Sequence, residues 1–160
     1  HHLHETIRRS PLWELLPDAA AARREHEQAF NEQRDVYKST WKRVLDCLAP
    51  DVGGLSAEAA RSGKVSLSKR QKKEIKARFK SFNGEFEEVL NTQRHYYVPS
   101  AELRAQLVAD IRALVVPAYR LFHDAYAPLP FSKAKDGKYV QYGVDTLDTV
   151  LSHFFRGQHG

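Results

Sequence analysis

Residues 68–94 read SKRQKKEIKARFKSFNGEFEEVLNTQR, and their pattern determines the fold class. The large apolar side chains recur three or four residues apart, which is the spacing of one face of an α-helix. Ser68 stands where a helix N-cap is expected. We therefore predict a long helix from Ser68 to about Arg94 with one face in the core, formed by Ile75, Phe79, Phe82, Phe86 and Val89.

The same helix is predicted to carry a row of lysines beside its apolar face. At 100° per residue, four lysines fall within about 40° of a common direction, roughly 110° from the phenylalanines. Residues 64–80 hold eight Lys or Arg against one acid, Glu74. Exposed lysines are usually interspersed with acids, so this excess favours a polyanionic partner over a plain solvated surface. The row consists of Lys69, Lys73, Lys76 and Lys80.

The N-terminal half of the chain has the same helical spacing. Residues 3–16 have this spacing, with Ser10-Pro11 as an N-cap and N1 pair, and the next helix is expected to begin near Asp18, just after Pro17, and to run to about Leu48. Residues 49–67 are predicted as a loop, with a short helical turn at 57–60 and with Pro50 and Gly53-Gly54 as helix stops.

The C-terminal half is predicted to hold two more helices. A kink or short break is expected at Pro117 in the first, and only Lys138–Tyr142 reads as extended, so no sheet is expected. The fold class is all-α, as one domain over 1–160 or as two small stacked bundles, about 1–98 and 99–160. After Pro117 the helix is expected to resume through Leu121, Phe122 and Tyr126. Predicted core positions are Leu103, Leu107, Ile111, Leu114, Val115, Val144, Leu147, Leu151 and Phe154.

A loop marked by Pro128, Pro130 and Gly137 lies between these two helices and carries three further lysines. The rings of Tyr139 and Tyr142 could anchor this loop or lie at the level of lipid headgroups. A flexible solvated loop is the alternative. The three lysines are Lys133, Lys135 and Lys138.

No pattern in the sequence indicates catalysis, a metal site or a cofactor. The N-terminal histidines have no second ligand cluster, the other histidines form no nucleophile–base pair, and no glycine loop that would bind phosphate is present. Cys47 is the only cysteine, which excludes a disulfide scaffold. No apolar run of about 18 residues would span a membrane, and the first residues do not resemble a signal peptide. We predict a non-enzymatic protein that needs no cofactor.

Several segments, in order, resemble the C-terminal region of the family of seventy-kilodalton exocyst subunits. The strongest is IKARFKSFNGEFEEVLNTQ at 75–93, which is similar to the family's I-K-E-R-F-K-x-F-N and E-E-x-x-x-x-Q elements. Single pieces are weak, whereas the ordered set is specific. The others are SPLWELL (10–16), YKSTWKRVLDCL (37–48), YVPSAELR (97–104), VPAYRLF (116–122) and PFSKAKDGKYVQY (130–142).

This resemblance implies a fragment of a larger subunit, the tip of an elongated rod of stacked helical bundles. It implies vesicle tethering at the plasma membrane, a cytoplasmic protein that is peripheral there, and binding of phosphatidylinositol 4,5-bisphosphate through C-terminal basic residues. Lys138 matches the first lysine of the family's K-Y-I-K-Y element, whereas Gln141 stands where the second would be. Lys76 matches a basic position, and Ala77 replaces a frequent acid. Other exocyst subunits and Rho-family small GTPases are the implied protein partners.

Two alternatives remain open. The basic pI of about 9.4 is also compatible with a helical nucleic-acid-binding protein, although a base-reading helix would need Arg, Asn or Gln at contact positions. We therefore predict no nucleic-acid partner. A protein–protein scaffold, in which the lysines meet an acidic partner or a small GTPase, is compatible with the membrane hypothesis.

Overall fold

A computed structural model describes residues 12–134 and 137–155 of the chain. The protein is mostly helical, with 68% helix and 3% strand, so the predicted all-α class is confirmed. The contacts divide the chain into a first unit that ends at Tyr37 and a second that starts at Lys38. The stacking of two bundles with a boundary near residue 98 stays a prediction. Ser10-Pro11, the predicted helix start, lies outside the described residues.

Helix α1, Leu12–Ser39, accounts for the described part of the first unit. The predicted start near Asp18 is wrong, because Pro17 lies inside this helix. A proline ring removes one backbone donor and disturbs the preceding turn, and the 28-residue helix continues through it.

The predicted uninterrupted helix to Leu48 is also wrong. Helix α1 ends at Ser39, and a separate short helix, α2, covers Lys42–Asp46. The turn between them buries Trp41 completely, with its ring 6.0 Å from the rings of Phe86 and Phe154. Burial of one large aromatic side chain outweighs the few backbone bonds lost at the break.

A two-stranded hairpin follows, where no sheet was expected. Strands β1 (Asp51–Val52) and β2 (Leu55–Ser56) pair antiparallel, with Val52 opposite Leu55. Gly53 and Gly54 join them with φ angles of 62° and 80°, the positive values that a tight hairpin turn requires. A Cβ on Gly53 would also lie 2.7 Å from the carboxylate of Glu74. The Gly-Gly pair therefore forms the turn of a hairpin, and its predicted role as a helix stop is wrong, because α2 already ends at Asp46.

The predicted helical turn at 57–60 is confirmed as α3, Ala57–Arg61, where Ser56 Oγ accepts a hydrogen bond from the Ala59 N–H. The long predicted helix is confirmed as α4, Lys69–Arg94. Ser68 caps it and forms a reciprocal capping box with Gln71, which satisfies two otherwise unpaired backbone donors. The predicted apolar face is buried at Ile75, Phe79, Phe82 and Phe86 and half-buried at Val89.

Helix α5, Ala101–Tyr126, continues past Pro117 without the predicted break. Pro117 and Ala113, whose carbonyl the proline leaves unpaired, are not buried, so water can satisfy that carbonyl. The predicted burial of Leu114 is wrong, since it is 37% exposed, and Leu121 beyond the proline is 55% exposed. The buried positions are Leu103, Leu107, Ile111, Val115, Tyr119, Phe122, Ala125 and Tyr126.

Helix α6, Val144–Ser152, packs on α5. Leu147 and Leu151 are buried as predicted, Val144 and Phe154 are half-buried, and Phe155 is buried instead. The centre of the second unit is aromatic, with Phe79 against Phe122 at 5.0 Å and Phe82 against Tyr119 at 4.7 Å between ring centroids. These contacts fix the rotation of α4 about its axis and thereby decide which of its side chains face outward.

Candidate basic membrane-binding site

The four predicted lysines of α4 lie on the outer side of the helix. Lys69, Lys73 and Lys80 are exposed and Lys76 is half-buried. In the part of the chain that the structure describes, none of the four forms an ion pair. Their side chains span roughly 16 Å along the helix, at 1.5 Å per residue. No described carboxylate therefore neutralises these ammonium groups.

The arginines of α4 are used differently. Arg70 pairs with Glu74 at 2.9 Å, and it thereby occupies the one acid between residues 69 and 84. Arg78 donates to the carbonyls of Cys47 and Asp51 at 3.3 and 3.2 Å, which fastens the segment before the hairpin to α4. Arg70 and Arg78 are thus engaged within the protein, whereas the lysines remain available for a partner.

The loop between α5 and α6 is anchored to the body at both ends. The ring of Phe131 is buried and stacks on Phe79 at 5.7 Å. At the other end, the hydroxyl of Tyr119 donates to the carbonyl of Tyr142 at 2.6 Å, and burial raises the pKa of that Tyr119 hydroxyl. The ring of Tyr142 meets Phe86 edge-on at 5.2 Å. The described part of this loop therefore has a fixed path, in contrast to a loop that is merely solvated.

Tyr139 joins the loop lysine to the helix row. Lys76 Nζ lies 6.0 Å and Lys138 Nζ 5.3 Å from the centroid of the Tyr139 ring, which is the range of cation–π attraction. The two nitrogens are consequently within about 11 Å of each other, close to the Debye length at 0.1 M salt. Lys76 and Lys138 therefore act on the same region of an opposing surface.

A groove of about 460 Å³ extends this arrangement, with Lys80 on the α4 side and Lys138 on the loop side. Asn83 lies at its base and donates to the Tyr139 carbonyl at 2.8 Å. Glu87, whose carboxylate is 3.5 Å from the Tyr142 hydroxyl, and the exposed Gln141 complete its rim. The volume lies within the range of about 300–1,000 Å³ that is typical of small-molecule sites.

The structure brings some predicted site residues together and leaves others apart. Lys138 joins the α4 row, and we call these five lysines the basic platform: Lys69, Lys73, Lys76, Lys80 and Lys138. Lys133 is exposed, with no described contact that links it to the platform. Lys135 lies outside the described residues.

Sequence reasoning missed one residue of this surface and two buried residues that support it. Lys72 is exposed and lies three and four residues from Lys69 and Lys76, hence on the same side of the helix. Asn83 and Tyr119 position the loop from the protein body. The signal for Asn83 was a polar residue next to the apolar stripe, where burial requires a hydrogen-bond partner.

The described residues offer no sign of two other classes of site. No group of three or more His, Cys, Asp or Glu side chains there is arranged to hold a metal ion. None of the helices described is both long enough and apolar enough to cross a bilayer.

Comparison with known proteins identifies the family. The family model for the C-terminal part of the Exo70 exocyst complex subunit matches residues 1–153. Exocyst complex component EXO70A1 of Arabidopsis thaliana is 31% identical over 99% of this chain and 24% of its own length. Exocyst complex component 7 of Drosophila melanogaster is 31% identical over 97% of the chain and 22% of its own length, and the human protein of that name 25% identical over 97% and 20%.

The chain spans about a quarter or less of these relatives. The family consists of structural subunits of a tethering complex and is not an enzyme family. This agrees with the sequence prediction of a non-enzymatic protein. On the match over 153 of 160 residues, the chain belongs to the C-terminal family of Exo70 exocyst complex subunits.

Proposed function

We propose that this chain is the membrane-docking part of an exocyst subunit that holds secretory vesicles at the plasma membrane before fusion. In this proposal the protein is cytoplasmic and attaches peripherally. It binds phosphatidylinositol 4,5-bisphosphate through the basic platform, with Lys133 and Lys135 adding to it. The observation that carries the proposal is the shared Tyr139 ring, which holds a helix lysine and a loop lysine together.

The energetic pattern of α4 supports an anionic partner. Lysines four residues apart on one helix repel each other by about 0.2–0.5 kcal/mol per pair, and α4 has two such pairs in the row alone, Lys69–Lys73 and Lys76–Lys80. The lysines of the first turn of α4 also lie near the positive end of the helix dipole, and that turn has no acid to offset it. A bound phosphate group would relieve both penalties.

The expected affinity follows from the number of cations. Each Lys or Arg near an anionic leaflet contributes about 1 kcal/mol, so five to six cations give a dissociation constant of roughly tens to hundreds of micromolar. Such binding is reversible and depends on salt. It suits one member of an assembly, in which several weak contacts add up through avidity.

Co-sedimentation with liposomes tests this proposal. Wild type and the variant Lys73→Ala/Lys76→Ala/Lys138→Ala are compared on vesicles with and without phosphatidylinositol 4,5-bisphosphate. Loss of three platform charges is expected to weaken binding by about 3 kcal/mol, or roughly a hundredfold. The matched control Lys42→Ala/Arg43→Ala/Arg94→Ala removes the same charge away from the platform, and it should bind like wild type.

Equal binding by the platform variant and wild type would end the claim for these residues. Equal loss in both variants would show a response to net charge alone. Other exocyst subunits, which family membership supports, and Rho-family small GTPases are the protein partners in this proposal. Pull-down of such a partner without lipid, abolished by the platform variant, would favour an acidic protein as the ligand of these lysines.

A further inference from the structure

A second, smaller cavity lies near the C-terminal end of α4. Its volume is about 210 Å³, which is below the range of about 300–1,000 Å³ of small-molecule sites and suits the end of one side chain. None of the platform lysines lines it, and Gln93 on its wall is 13 residues beyond Lys80, the last platform lysine on α4, or roughly 20 Å along the helix. The cavity is therefore separate from the basic platform.

Gln93 brings an unpartnered acceptor to this cavity. Its side chain is 3% exposed, and its Nε2 donates to Thr40 Oγ1 at 2.7 Å. Its Oε1 is buried and accepts no hydrogen bond from any described residue. Buried amide oxygens are nearly always hydrogen-bonded, so this oxygen lacks the donor that its burial calls for among the described residues.

Glu85 and Glu88 give the same cavity a negative lining. Neither carboxylate has an ion-pair partner within the described ranges. The negative charge of Glu85 also acts on a neighbouring group. Burial is the larger cause of the raised pKa of the Cys47 thiol, and the Glu85 carboxylate is the second cause. Arg43 is the one cation among the lining residues, and it forms no ion pair with either acid. The balance at the cavity is negative.

We propose that this cavity receives an arginine side chain from a protein partner. A guanidinium group has five donors and no acceptor, and the acidic end of the cavity has two carboxylates and an amide oxygen that all accept. Its planar fork can bond several acceptors at once, which a lysine ammonium does less well. A basic protein partner would therefore bind here while the platform at the other end of α4 remains free for an anionic surface.

NMR titration of the 160-residue chain tests this inference without a known partner. The probe is N-acetyl-arginine amide, and N-acetyl-citrulline amide is the neutral probe of similar shape. We expect the arginine probe to shift the side-chain amide of Gln93 and the backbone amides of residues 85–93 in a saturable way, with a dissociation constant on the order of millimolar. The citrulline probe should shift them little.

Two charge-neutralising variants complete the experiment. Glu85→Gln/Glu88→Gln should weaken the arginine probe at least about tenfold, while binding to liposomes stays unchanged. Glu58→Gln/Glu102→Gln removes the same charge from exposed positions elsewhere, and it should leave the titration as in wild type. Equal shifts by both probes, no saturation, or an unchanged titration in the first variant would overturn the proposal.

Discussion

The side-chain amide of Asn83 donates a hydrogen bond of 2.8 Å to the backbone carbonyl of Tyr139. Asn83 is only 6% exposed, so water competes little for this bond. It joins the middle of α4 to the loop residue whose ring two lysines share. Loss of this hydrogen bond would therefore let the loop carry Lys138 away from the helix row.

Replacement of Asn83 by Ala should therefore lower both stability and membrane affinity. The lost bond leaves a carbonyl unpaired, which reduces the free energy of unfolding by about 1–3 kcal/mol. Vesicle affinity should fall by up to about fivefold as Lys138 leaves the platform. Urea denaturation and co-sedimentation measure the two effects. Asn91→Ala, at an exposed position of the same helix, is the control, and equal losses in both variants would contradict this role of Asn83.

Tyr139→Phe and Tyr139→Leu separate the ring from its hydroxyl. The Phe variant keeps the face that attracts Lys76 and Lys138 and should bind vesicles like wild type. The Leu variant loses attraction of about 0.5–1 kcal/mol for each of the two cations, so its affinity should fall by roughly five- to thirtyfold at most. Isothermal calorimetry with vesicles that contain phosphatidylinositol 4,5-bisphosphate is the measurement. Identical affinities for the two variants would show that the aromatic ring does not contribute to membrane binding.

Gln141→Lys should strengthen membrane binding. Gln141 is exposed and lines the groove with Lys80 and Lys138, and the K-Y-I-K-Y element that this segment resembles has lysine there. One added cation is worth about 1 kcal/mol, or roughly fivefold in affinity. The gain should vanish near 1 M salt, where the Debye length is about 3 Å. Gln141→Glu should have the opposite effect, and a gain that persists in high salt would argue against electrostatic attraction.

The pair Arg112–Asp148, which links α5 to α6 at 2.7 Å, gives a pH-dependent contribution. The hydrogen bond from Arg112 lowers the pKa of Asp148 below its ordinary value of 3.8. A depressed carboxyl pKa stabilises the folded state above the unfolded pKa, and this stability is lost as pH falls through the folded pKa. Both side chains are more than one-third exposed, so solvent screening keeps the contribution of this pair small.

The variant Asp148→Asn should therefore be slightly less stable than wild type at pH 7. The difference between the two proteins should shrink as the pH falls below 3.8. Thermal unfolding across this pH range measures it, with Asp46→Asn as a control that removes an exposed pair within one helix. A difference that stays constant with pH would mean that packing, and not charge, is responsible.

The helix that carries the candidate site could be predicted from the sequence because its signals are local. The spacing of Ile75, Phe79 and Phe82 defines one face, and the lysine row follows from the same geometry. The hairpin could not be predicted in this way, because two-residue strands contain no alternation to detect. Leu114 and Leu121 have helical spacing as well, but the side of α5 that is covered depends on where α3, α4 and α6 pack.

The contact between the loop and α4 could not be predicted from the sequence for a related reason. Asn83 and Tyr139 are 56 residues apart, and no periodicity connects them. The row Lys69–Lys80 was predicted from one helix, whereas the meeting of Lys76 with Lys138 arises from tertiary packing of Phe131 and Tyr142. Lys133 shows that composition alone does not locate a site, because the described contacts do not join this loop lysine to the others.

The close approach of Gly53 to Glu74 makes an uncharged turn a determinant of surface charge. Any side chain at Gly53 would press on the Glu74 carboxylate, which now accepts from Arg70. Displacement of that carboxylate would release it toward the neighbouring lysines of α4 and reduce the positive potential there. Gly53 in the hairpin thus helps to maintain the positive potential of the lysine row on α4.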